Sequence, residues 1–364
     1  MSKAAAKSKP VAKAPGLVTS ETVLGQITRD YGEGIVVEGY DNVHRLPTGV
    51  FQVDLALGGG IPLNRVTEVY GKEGSGKTNF ALLIIANAQR GNPGKKCVLI
   101  DVERTYDPTW GKRLGVDNDA LILIRPDNAE QAVDIIDAFM RAEDVILIVL
   151  DSIAALTTAA EIEKSAEKDS MAARARVMSK LVNKVTSAFG LVEKEGRQLA
   201  LLGINQVRMK IGVLYGSPET TPGGYAWKFM CSMRLRLHGT DVKDAKIHQT
   251  MWARKKTEFV IKKYKVPIVS ISGEYEMYLV PQNKRHIGGV DPWNTLLARA
   301  QQFGMLVKLK KGWQWKCGSE TTEFARLKDL VAGIDEKVAR DEVIRRALAR
   351  SVMAEGEEED LEGL

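Results

Sequence analysis

The sequence predicts an α/β protein: a mainly parallel, twisted sheet with helices on both faces, a short helix-strand segment before it and a small α+β module after it. Two observations predict this. Between Leu46 and Pro281, short apolar runs alternate with longer helical segments, the pattern of strands joined by helical crossovers. One of those runs passes through a glycine-rich stretch, Gly71 to Thr78, straight into a helical segment, a junction that parallel α/β sheets use at their carboxyl edge.

In chain order, Thr19 to Tyr31 reads as a short helix. Thr19 or Ser20 can cap it, Val23, Leu24, Ile27 and Tyr31 share one face, and Gly32-Glu33-Gly34 ends it. Ile35-Val36-Val37 then reads as extended. The strand candidates of the core are Val66 to Tyr70, Cys97 to Asp101, Leu121 to Ile124, Val145 to Leu150 and Leu199 to Ile204. Helical stretches lie between them at Thr78 to Arg90, Ala129 to Arg141 and Ala172 to Glu195. Phe259 to Lys265 and Ile268 to Val280 are further strands, expected at one edge. In the last module Pro292 to Phe303, Thr322 to Val331 and Lys337 to Ala349 have helical patterns, and Leu306 to Lys316 is basic and aromatic.

Composition bounds the function. The 364 residues are 44% apolar and 27% charged, an ordinary soluble globular balance with room for one large core and smaller additions. The longest run of only Val, Ile and Leu is Val145 to Leu150, far short of the ~20 residues of a membrane helix. Residues 1–18 form a basic arm rich in Ala, Lys, Ser and Pro; no apolar segment follows the charge, so a secretory signal is not expected. Three cysteines (Cys97, Cys231, Cys317) and four scattered histidines offer neither a disulfide framework nor a zinc site and suit a reducing, cytoplasmic compartment.

Net charge is +6, and six acidic residues crowd the end of the chain: Glu355, Glu357, Glu358, Glu359, Asp360 and Glu362. Without them the rest stands at +12. A basic body with an acidic tail fits either a polyanionic partner for which the tail competes, or a terminus that only keeps the protein soluble.

The glycine-rich stretch carries the first chemistry. Gly71-Lys72-Glu73-Gly74-Ser75-Gly76-Lys77-Thr78 fits G-x-x-x-x-G-K-[ST], between a strand and a helix as that motif requires. Its glycines let backbone N–H groups turn towards phosphate oxygens, and the helix N-terminus adds partial positive charge. Lys77 is placed to reach the β- and γ-phosphates of ATP, and the Thr78 hydroxyl to ligate Mg²⁺. Asp151, at the end of the Val145 strand, either holds Mg²⁺ through water or caps the segment after it. Glu103 follows the Cys97 strand and is either an exposed carboxylate or the group that orients or deprotonates an attacking water.

Here the sequence resembles a family. Leu24-Gly25-Gln26-Ile27 with Tyr31-Gly32-Glu33-Gly34, Thr48-Gly49 through Leu55-Ala56-Leu57-Gly58, Ile100-Asp101-Val102-Glu103 with Asp107-Pro108, and Val149-Leu150-Asp151-Ser152-Ile153-Ala154-Ala155-Leu156 all resemble segments of the RecA recombinases of bacteria and their phages. The most specific stretch runs from Ile204-Asn205-Gln206-Val207-Arg208-Met209-Lys210-Ile211-Gly212-Val213 through Gly216-Ser217-Pro218-Glu219-Thr220-Thr221-Pro222-Gly223-Gly224. It is similar to the family's γ-phosphate sensor and principal DNA loop, and the resemblance covers roughly Val23 to Pro267.

The resemblance implies a RecA-type P-loop ATPase core. It implies five parts: a flexible basic arm at 1–18, an oligomerisation segment at 19–45, the ATPase core with its DNA loops at 46–282, a small C-terminal domain at 283–350 and an acidic tail at 351–364. It makes Glu103 the catalytic base and Gln206 the sensor. Asp107 would meet the adenine edge and Trp110 would stack on it. Gly71, Glu73, Gly74, Ser75, Gly76, Lys77, Thr78 and Asp151 would hold the rest of Mg–ATP. Met171 and Arg176 fall in or just after the first DNA loop, Lys164 to Ser170. Arg208, Met209, Lys210, Ile211, Gly223 and Gly224 belong to the second. Lys228 and Phe229 match an interface pair, and Lys263 and Lys265 match lysines that reach a neighbouring subunit's ATP. The implied partners are single- and double-stranded DNA, further copies of the chain in a head-to-tail helical filament, and in some members loader or repressor proteins.

The residues alone leave more open. A long loop with four glycines and two prolines between Gln206 and Trp227 is either functional or an exposed mobile connection. Lys263 and Lys265 on an edge strand either act on a neighbour or only block edge pairing. The chain departs from the family in four places: the first loop is lysine-rich, Tyr225 stands where a small polar residue is usual, the link from Lys263 and Lys265 to Pro267 is shorter, and Tyr275 to Val290 matches poorly. The expected function is ATP-driven filament formation on single-stranded DNA, homology search and strand exchange in recombination and repair. The alternative is a helicase or translocase of the same fold, or an ATP-regulated DNA-binding accessory protein.

Overall fold

The computed structural model describes residues 19–32, 43–163, 167–209, 218–243, 252–280 and 288–361, with only the backbone described at 167–171, 252 and 352–361. Contacts divide the chain into two units, Met1–Asn42 and Val43–Leu364.

The first unit contributes helix α1 (Ser20–Tyr31), where the Thr19 hydroxyl accepts a bond from the Thr22 N–H and Gly32 ends the helix at φ +89°. None of its residues is buried: Val23, Leu24 and Tyr31 are all exposed. The extended segment expected at Ile35 to Val37 lies outside the described residues.

In the second unit, β1 (Arg45–Leu46) pairs with β2 (Ile61–Pro62) around helix α2 (Phe51–Leu57). Then come β3 (Arg65–Gly71), α3 (Lys77–Gly91), β4 (Lys96–Asp101), α4 (Pro108–Arg113), β5 (Leu121–Ile124), α5 (Ala129–Met140) and β6 (Val145–Asp151). After a short 3-10 turn at Ile153–Ala155 follow α6 (Ala159–Glu163), α7 (Glu167–Lys194), β7 (Ala200–Gln206), β8 (Arg208–Met209), β9 (Glu219–Thr220), α8 (Gly224–Met230), β10 (Met233–Lys243), β11 (Trp252–Tyr264) and β12 (Ser272–Tyr278).

Eight of these strands form one sheet in the order β12-β11-β10-β3-β7-β6-β4-β5. It is parallel from β10 to β5 and antiparallel at the β11 and β12 edge. All seven residues of β6 are buried, as expected of a central parallel strand covered on both faces. The strand period of two divides the core. Leu147, Val149, Leu202 and Ile204 join α3 residues such as Phe80 and Ile84 on one face. Ile148, Leu150 and Leu201 join Ile136 of α5 and Leu181 and Val185 of α7 on the other.

Two readings from the sequence are corrected. Helix α7 begins at Glu167, so residues 167–170 of the expected first loop are helical in backbone, while 164–166 lie outside the described residues. The helix expected over Thr322 to Val331 is a strand and then a helix: β15 (Glu320–Phe324) completes a sheet with β13 (Leu306–Lys308) and β14 (Trp313–Cys317), and α10 (Leu327–Gly333) follows. Two adjacent threonines paired across from Trp315 and Lys316 favour the pleated surface over a helix. Strand β10, central to the sheet, had no counterpart among the expected strands.

The C-terminal module, with α9 (Trp293–Gln302) and α11 (Glu336–Leu361), shares an apolar cluster with α2: Phe51 and Leu55 pack with Leu296, Leu306, Trp315, Leu330 and Val343. A buried polar contact sits beside this cluster. Asp54 accepts bonds from the Thr48 N–H and hydroxyl, both at 2.7 Å, and Arg340 of α11 reaches it at 3.3 Å. Burial pushes its carboxyl up to about 6, against the lowering pull of Thr48 and Arg340.

Replacing Arg340 with Met is expected to cost roughly 3 kcal/mol at neutral pH, since it leaves a buried charge without its partner. The folded pKa of Asp54 lies above its unfolded value, so this group's contribution to stability is full below about 4 and lost as pH rises through about 6. Urea unfolding of the Arg340→Met protein should therefore show a penalty that grows as pH rises above about 6 and levels off at a smaller value below it. A penalty independent of pH would mean that Arg340 acts through packing alone.

Candidate nucleotide site and loops for nucleic acid

The strand registers bring the expected nucleotide residues together at the carboxyl end of the sheet. Gly71 lies opposite Gln206 across β3 and β7, and Asp101 opposite Asp151 across β4 and β6. Past Gly71 the chain loops round to Gly76, which caps α3 at φ +88°. Gly71 itself has no room for a side chain, because a Cβ there would stand 2.4 Å from the Leu237 carbonyl oxygen of β10.

Lys77 spans this loop and donates from Nζ to the Lys72 carbonyl at 2.8 Å. Burial lowers its pKa, opposed by the negative charges of Asp151, Glu103 and Glu73. The Thr78 hydroxyl donates to Asp151 Oδ2 at 2.9 Å. Burial raises the Asp151 carboxyl to about 6; Glu103 and Asp101 add to the rise, and Thr78 and Lys77 oppose it. Ser75 is buried, and among the described residues its hydroxyl has no hydrogen-bond partner. An unpaired buried hydroxyl, a lysine across a glycine loop and a Thr–Asp pair fit a Mg²⁺-bound triphosphate. Ser75 and Lys77 would meet its phosphates, and Thr78 and Asp151 its metal.

Glu103 lies just beyond β4 in a turn fixed by Asp101. The buried Asp101 carboxylate accepts from the Thr105 and Tyr106 N–H groups at 3.0 and 3.2 Å and from Arg125 Nε at 3.0 Å. The Glu103 N–H donates to the Asp151 carbonyl at 3.2 Å. Its Oε1 accepts from the Ser152 hydroxyl and, at 3.1 Å, from Gln206 Nε2. The expected base and the expected sensor are thus in direct contact. Asp107 caps α4, with Oδ1 accepting from the Thr109 N–H at 2.7 Å. Trp110 is tied to α3 by its indole N–H, which donates to Asn79 Oδ1 at 2.9 Å.

Two residues here were not singled out from the sequence as site residues. Ser152 holds Glu103. Lys255 of β11 runs beneath the glycine loop: it is 9% exposed, its Nζ donates to the Gly74 carbonyl at 2.9 Å, and it pairs with Asp241 at 2.5 Å. A lysine in an edge-type strand reads as solvent-facing, and only the pairing of β11 with β10 brings it to the loop.

The strand that ends at Gln206 leads into the second loop. β8 pairs with β9, Arg208 opposite Thr220 and Met209 opposite Glu219, and this pair closes the loop's base. Arg208 and Met209 are exposed. Arg236 grips Glu219 through two bonds at 2.8 and 2.6 Å. Lys210 and Ile211 lie outside the described residues. Gly223 and Gly224 lead into α8 at φ +97° and +69°. They line a cavity of about 250 Å³ together with Ile153, Arg174 and Met178, so the second loop's exit faces α7, whose exposed Arg176 follows the first loop. Met171 lies on the α7 backbone, its side chain outside the described residues.

The remaining expected residues form one patch at the C-terminal end of α8. Lys263 Nζ donates to the Lys228 and Phe229 carbonyls at 2.6 and 3.0 Å, and Lys265 Nζ to that of Phe229 at 3.0 Å. Lys263 also lies 5.9 Å from the Phe229 ring centre. Burial and the adjacent Lys265 lower the Lys263 pKa. Phe229 and Tyr225 are exposed.

A family model described as the RecA N-terminal domain matches residues 19–278. The chain belongs to the RecA family. It is 46% identical over 217 residues to Protein RecA of Colwellia psychrerythraea, covering 58% of this chain and 61% of that protein. It is 43% identical over 224 residues to Protein RecA of Haemophilus ducreyi, covering 60% and 58%. The matches thus span about three fifths of each relative's length. The RecA match takes in the glycine loop, Glu103, Asp151, Gln206, both loop segments and the Lys263 and Lys265 patch, and stops before the C-terminal module. Among the described residues, no helix is long and apolar enough to cross a membrane.

Since burial holds the Asp151 carboxyl at about 6, a metal bound there would have to displace a proton at lower pH. The apparent Mg²⁺ affinity of the protein with a fluorescent ATP analogue should fall, by up to roughly tenfold per pH unit, below about pH 6. In Asp151→Asn only the nucleotide's own titration should remain. The same pH profile in both proteins would take Asp151 out of the metal site.

Proposed function

We propose that this protein is an ATP-dependent recombinase that coats single-stranded DNA as a head-to-tail helical filament and catalyses homology search and strand exchange. One observation carries this reading. Gln206 bonds the catalytic candidate Glu103 at 3.1 Å, and its strand continues within two residues into the exposed Arg208 and Met209 at the base of the second loop. A change at the γ-phosphate that moves Gln206 is passed by the backbone to that loop.

Lys77 neutralises phosphate charge, and the loop N–H groups orient the phosphate chain. Thr78 and Asp151 would hold Mg²⁺, which would supply charge to screen the phosphates. Glu103 accepts the proton of the attacking water, held in place by Ser152 and by the Asp101 turn. Asp107 and Trp110 border the adenine. Arg176, Arg208, Lys210 and the N–H groups of Gly223 and Gly224 engage DNA phosphates, Met209 contacts bases, and Met171 and Ile211 belong to the same two loops. Lys263 and Lys265 reach the neighbouring subunit's γ-phosphate, so hydrolysis depends on assembly. A head-to-tail contact that does not close propagates as a helix, with Lys228 and Phe229 in its interface. Base pairing, not the protein, tests homology. The acidic end of the chain competes with duplex DNA for the basic, aromatic surface of β13 and β14.

Electron microscopy of the protein with single-stranded DNA and a non-hydrolysable ATP analogue is expected to show helical filaments; closed rings would favour a helicase, and particles of single subunits an accessory protein. Glu103→Gln should block hydrolysis while leaving ATP binding and filaments intact, because the amide keeps the shape but accepts no proton. Lys263→Ala/Lys265→Ala should bind ATP as a free subunit yet lose DNA-stimulated hydrolysis. A mixture of these two variants should hydrolyse ATP faster than the sum of the two alone, since some junctions pair an intact Glu103 with intact lysines. No recovery in filaments that contain both would place the lysines outside the neighbour's site. Removing the residues after Ala354 should tighten duplex binding, most at low salt. Equal affinity at every salt concentration would reduce the tail to a solubilising role.

A further inference from the structure

The nucleotide loop and the second loop are also joined through a buried carboxylate to which neither the sequence nor the proposed mechanism gives a role. Glu68 lies on β3, three residues before Gly71, and is 0% exposed. Its Oε1 accepts from Asn205 Nδ2 at 2.7 Å and from the Trp227 indole N–H at 3.2 Å, and its Oε2 accepts from Arg234 Nε. Each donor reaches a further element. Asn205 Nδ2 also donates to the Pro222 carbonyl at 2.9 Å, and Asn205 Oδ1 accepts the Gln206 N–H at 2.9 Å. Arg234 donates to the Thr221 hydroxyl at 3.1 Å, and its guanidinium lies 4.8 Å from the Tyr70 ring centre. Trp227 is fully buried in α8, one residue before Lys228. A Cβ on Gly203 of β7 would stand 2.5 Å from its ring, so the indole is wedged against that strand.

A carboxylate in a sheet interior is costly unless fully paired, and apolar replacements of similar volume serve stability at least as well. Val66 and Val69 show what β3 otherwise places in the core. Glu68 instead fixes three donors at once, because an ionised carboxylate only accepts. Those donors belong to the strand just before Gln206, to β10 and to α8, and two of them extend to Thr221 and Pro222 at the exit of the second loop. A displacement of Gln206 therefore changes the position of Asn205, and with it the bond that holds the Pro222 carbonyl.

We infer that Glu68, held by Arg234, is a positioning residue that transmits the nucleotide state to the exit of the second loop, alongside the direct path through Gln206 and the loop's entry. The inference rests on the function proposed above. The quantity it predicts is the coupling factor: the affinity for a fluorescent single-stranded oligonucleotide with a non-hydrolysable ATP analogue, divided by that without. Glu68→Gln keeps the volume and removes the charge. In this variant the analogue is expected to bind within about twofold of wild type in the absence of DNA, while the coupling factor falls severalfold towards one. By reciprocity, the tightening of the analogue by DNA must fall by the same factor.

Because Glu68→Gln leaves the half-buried Arg234 without its anionic partner, Glu68→Gln/Arg234→Met is measured beside it, with unfolding by urea for both. The double variant removes both charges and is expected to regain stability without regaining coupling. Coupling that returns together with stability, or a wild-type coupling factor in either folded variant, overturns the inference and leaves Glu68 a structural residue. A wild-type protein whose DNA affinity is indifferent to nucleotide overturns the functional reading itself, and the inference falls with it.

Discussion

The arrangement depends first on strand register. β7 lies beside β3 so that Gly71 faces Gln206, and β6 lies beside β4 so that Asp151 faces Asp101. These pairings make the carboxyl ends of four parallel strands finish level. The glycine loop, Asp151, the Glu103 turn and Gln206 then share one rim. A slip of one residue on any of these strands would turn its alternate side chains to the opposite face of the sheet. The penalty for such a slip is large because both faces are buried. The same apolar packing that stabilises the core therefore fixes the geometry of the site, and the loops need only small corrections, such as the bonds from Asp101 to the N–H groups after it.

The rim concentrates like charge. Asp101, Glu103 and Asp151 stand close enough that Glu103 and Asp101 both raise the Asp151 carboxyl. Each has a separate local partner: Arg125 for Asp101, Ser152 and Gln206 for Glu103, Thr78 for Asp151. Lys77 meanwhile donates to a carbonyl of its own loop. These contacts satisfy the groups one by one but do not cancel the charge. A divalent cation held by Thr78 and Asp151 would relieve the carboxylates, while phosphates would offer Lys77 a charged acceptor in place of the Lys72 carbonyl and give the Ser75 hydroxyl an acceptor.

The sequence made the rim legible because its parts are local. A glycine loop between a strand and a helix, and carboxylates just past apolar runs, can be read from a few consecutive residues. The α/β alternation was equally plain, and β5 runs over the expected Leu121 to Ile124. What could not be read depends on pairing between distant segments. Met233 to Lys243 places charged and polar residues at every second position of its first half, so it lacks the apolar run that marked the other central strands, yet β10 lies directly beside β3. Lys255 was not singled out at all, and only the pairing of β11 with β10 carries it under the glycine loop. Glu68 sits in an apolar strand with nothing nearby in sequence to pair it; its partners are 137, 159 and 166 residues away. Thr322 misled for the opposite reason: its neighbours allow a helix, and only the edge offered by β14 decides for a strand.

The lysine patch adds a constraint that sequence and core packing do not. Lys263 and Lys265 spend their ammonium protons on carbonyls at the C-terminal end of α8, where helix carbonyls lack intrahelical donors and carry partial negative charge. Within a single subunit this is a satisfactory resting place. A neighbour's γ-phosphate is a stronger acceptor, because its full negative charge adds a coulombic attraction for the ammonium that a neutral carbonyl lacks. On the proposed reading the lysines exchange one set of acceptors for the other when subunits meet. The carbonyls they leave belong to Lys228 and Phe229, which the same reading places in the interface. Assembly would then have to satisfy those carbonyls as well as the phosphate, so the energy of the trans contact is a difference between two hydrogen-bonded states and not the full strength of either. On that reading the contact would be weak for any neighbour without a γ-phosphate, and a filament would have a physical reason to distinguish a subunit holding ATP from one that has hydrolysed it.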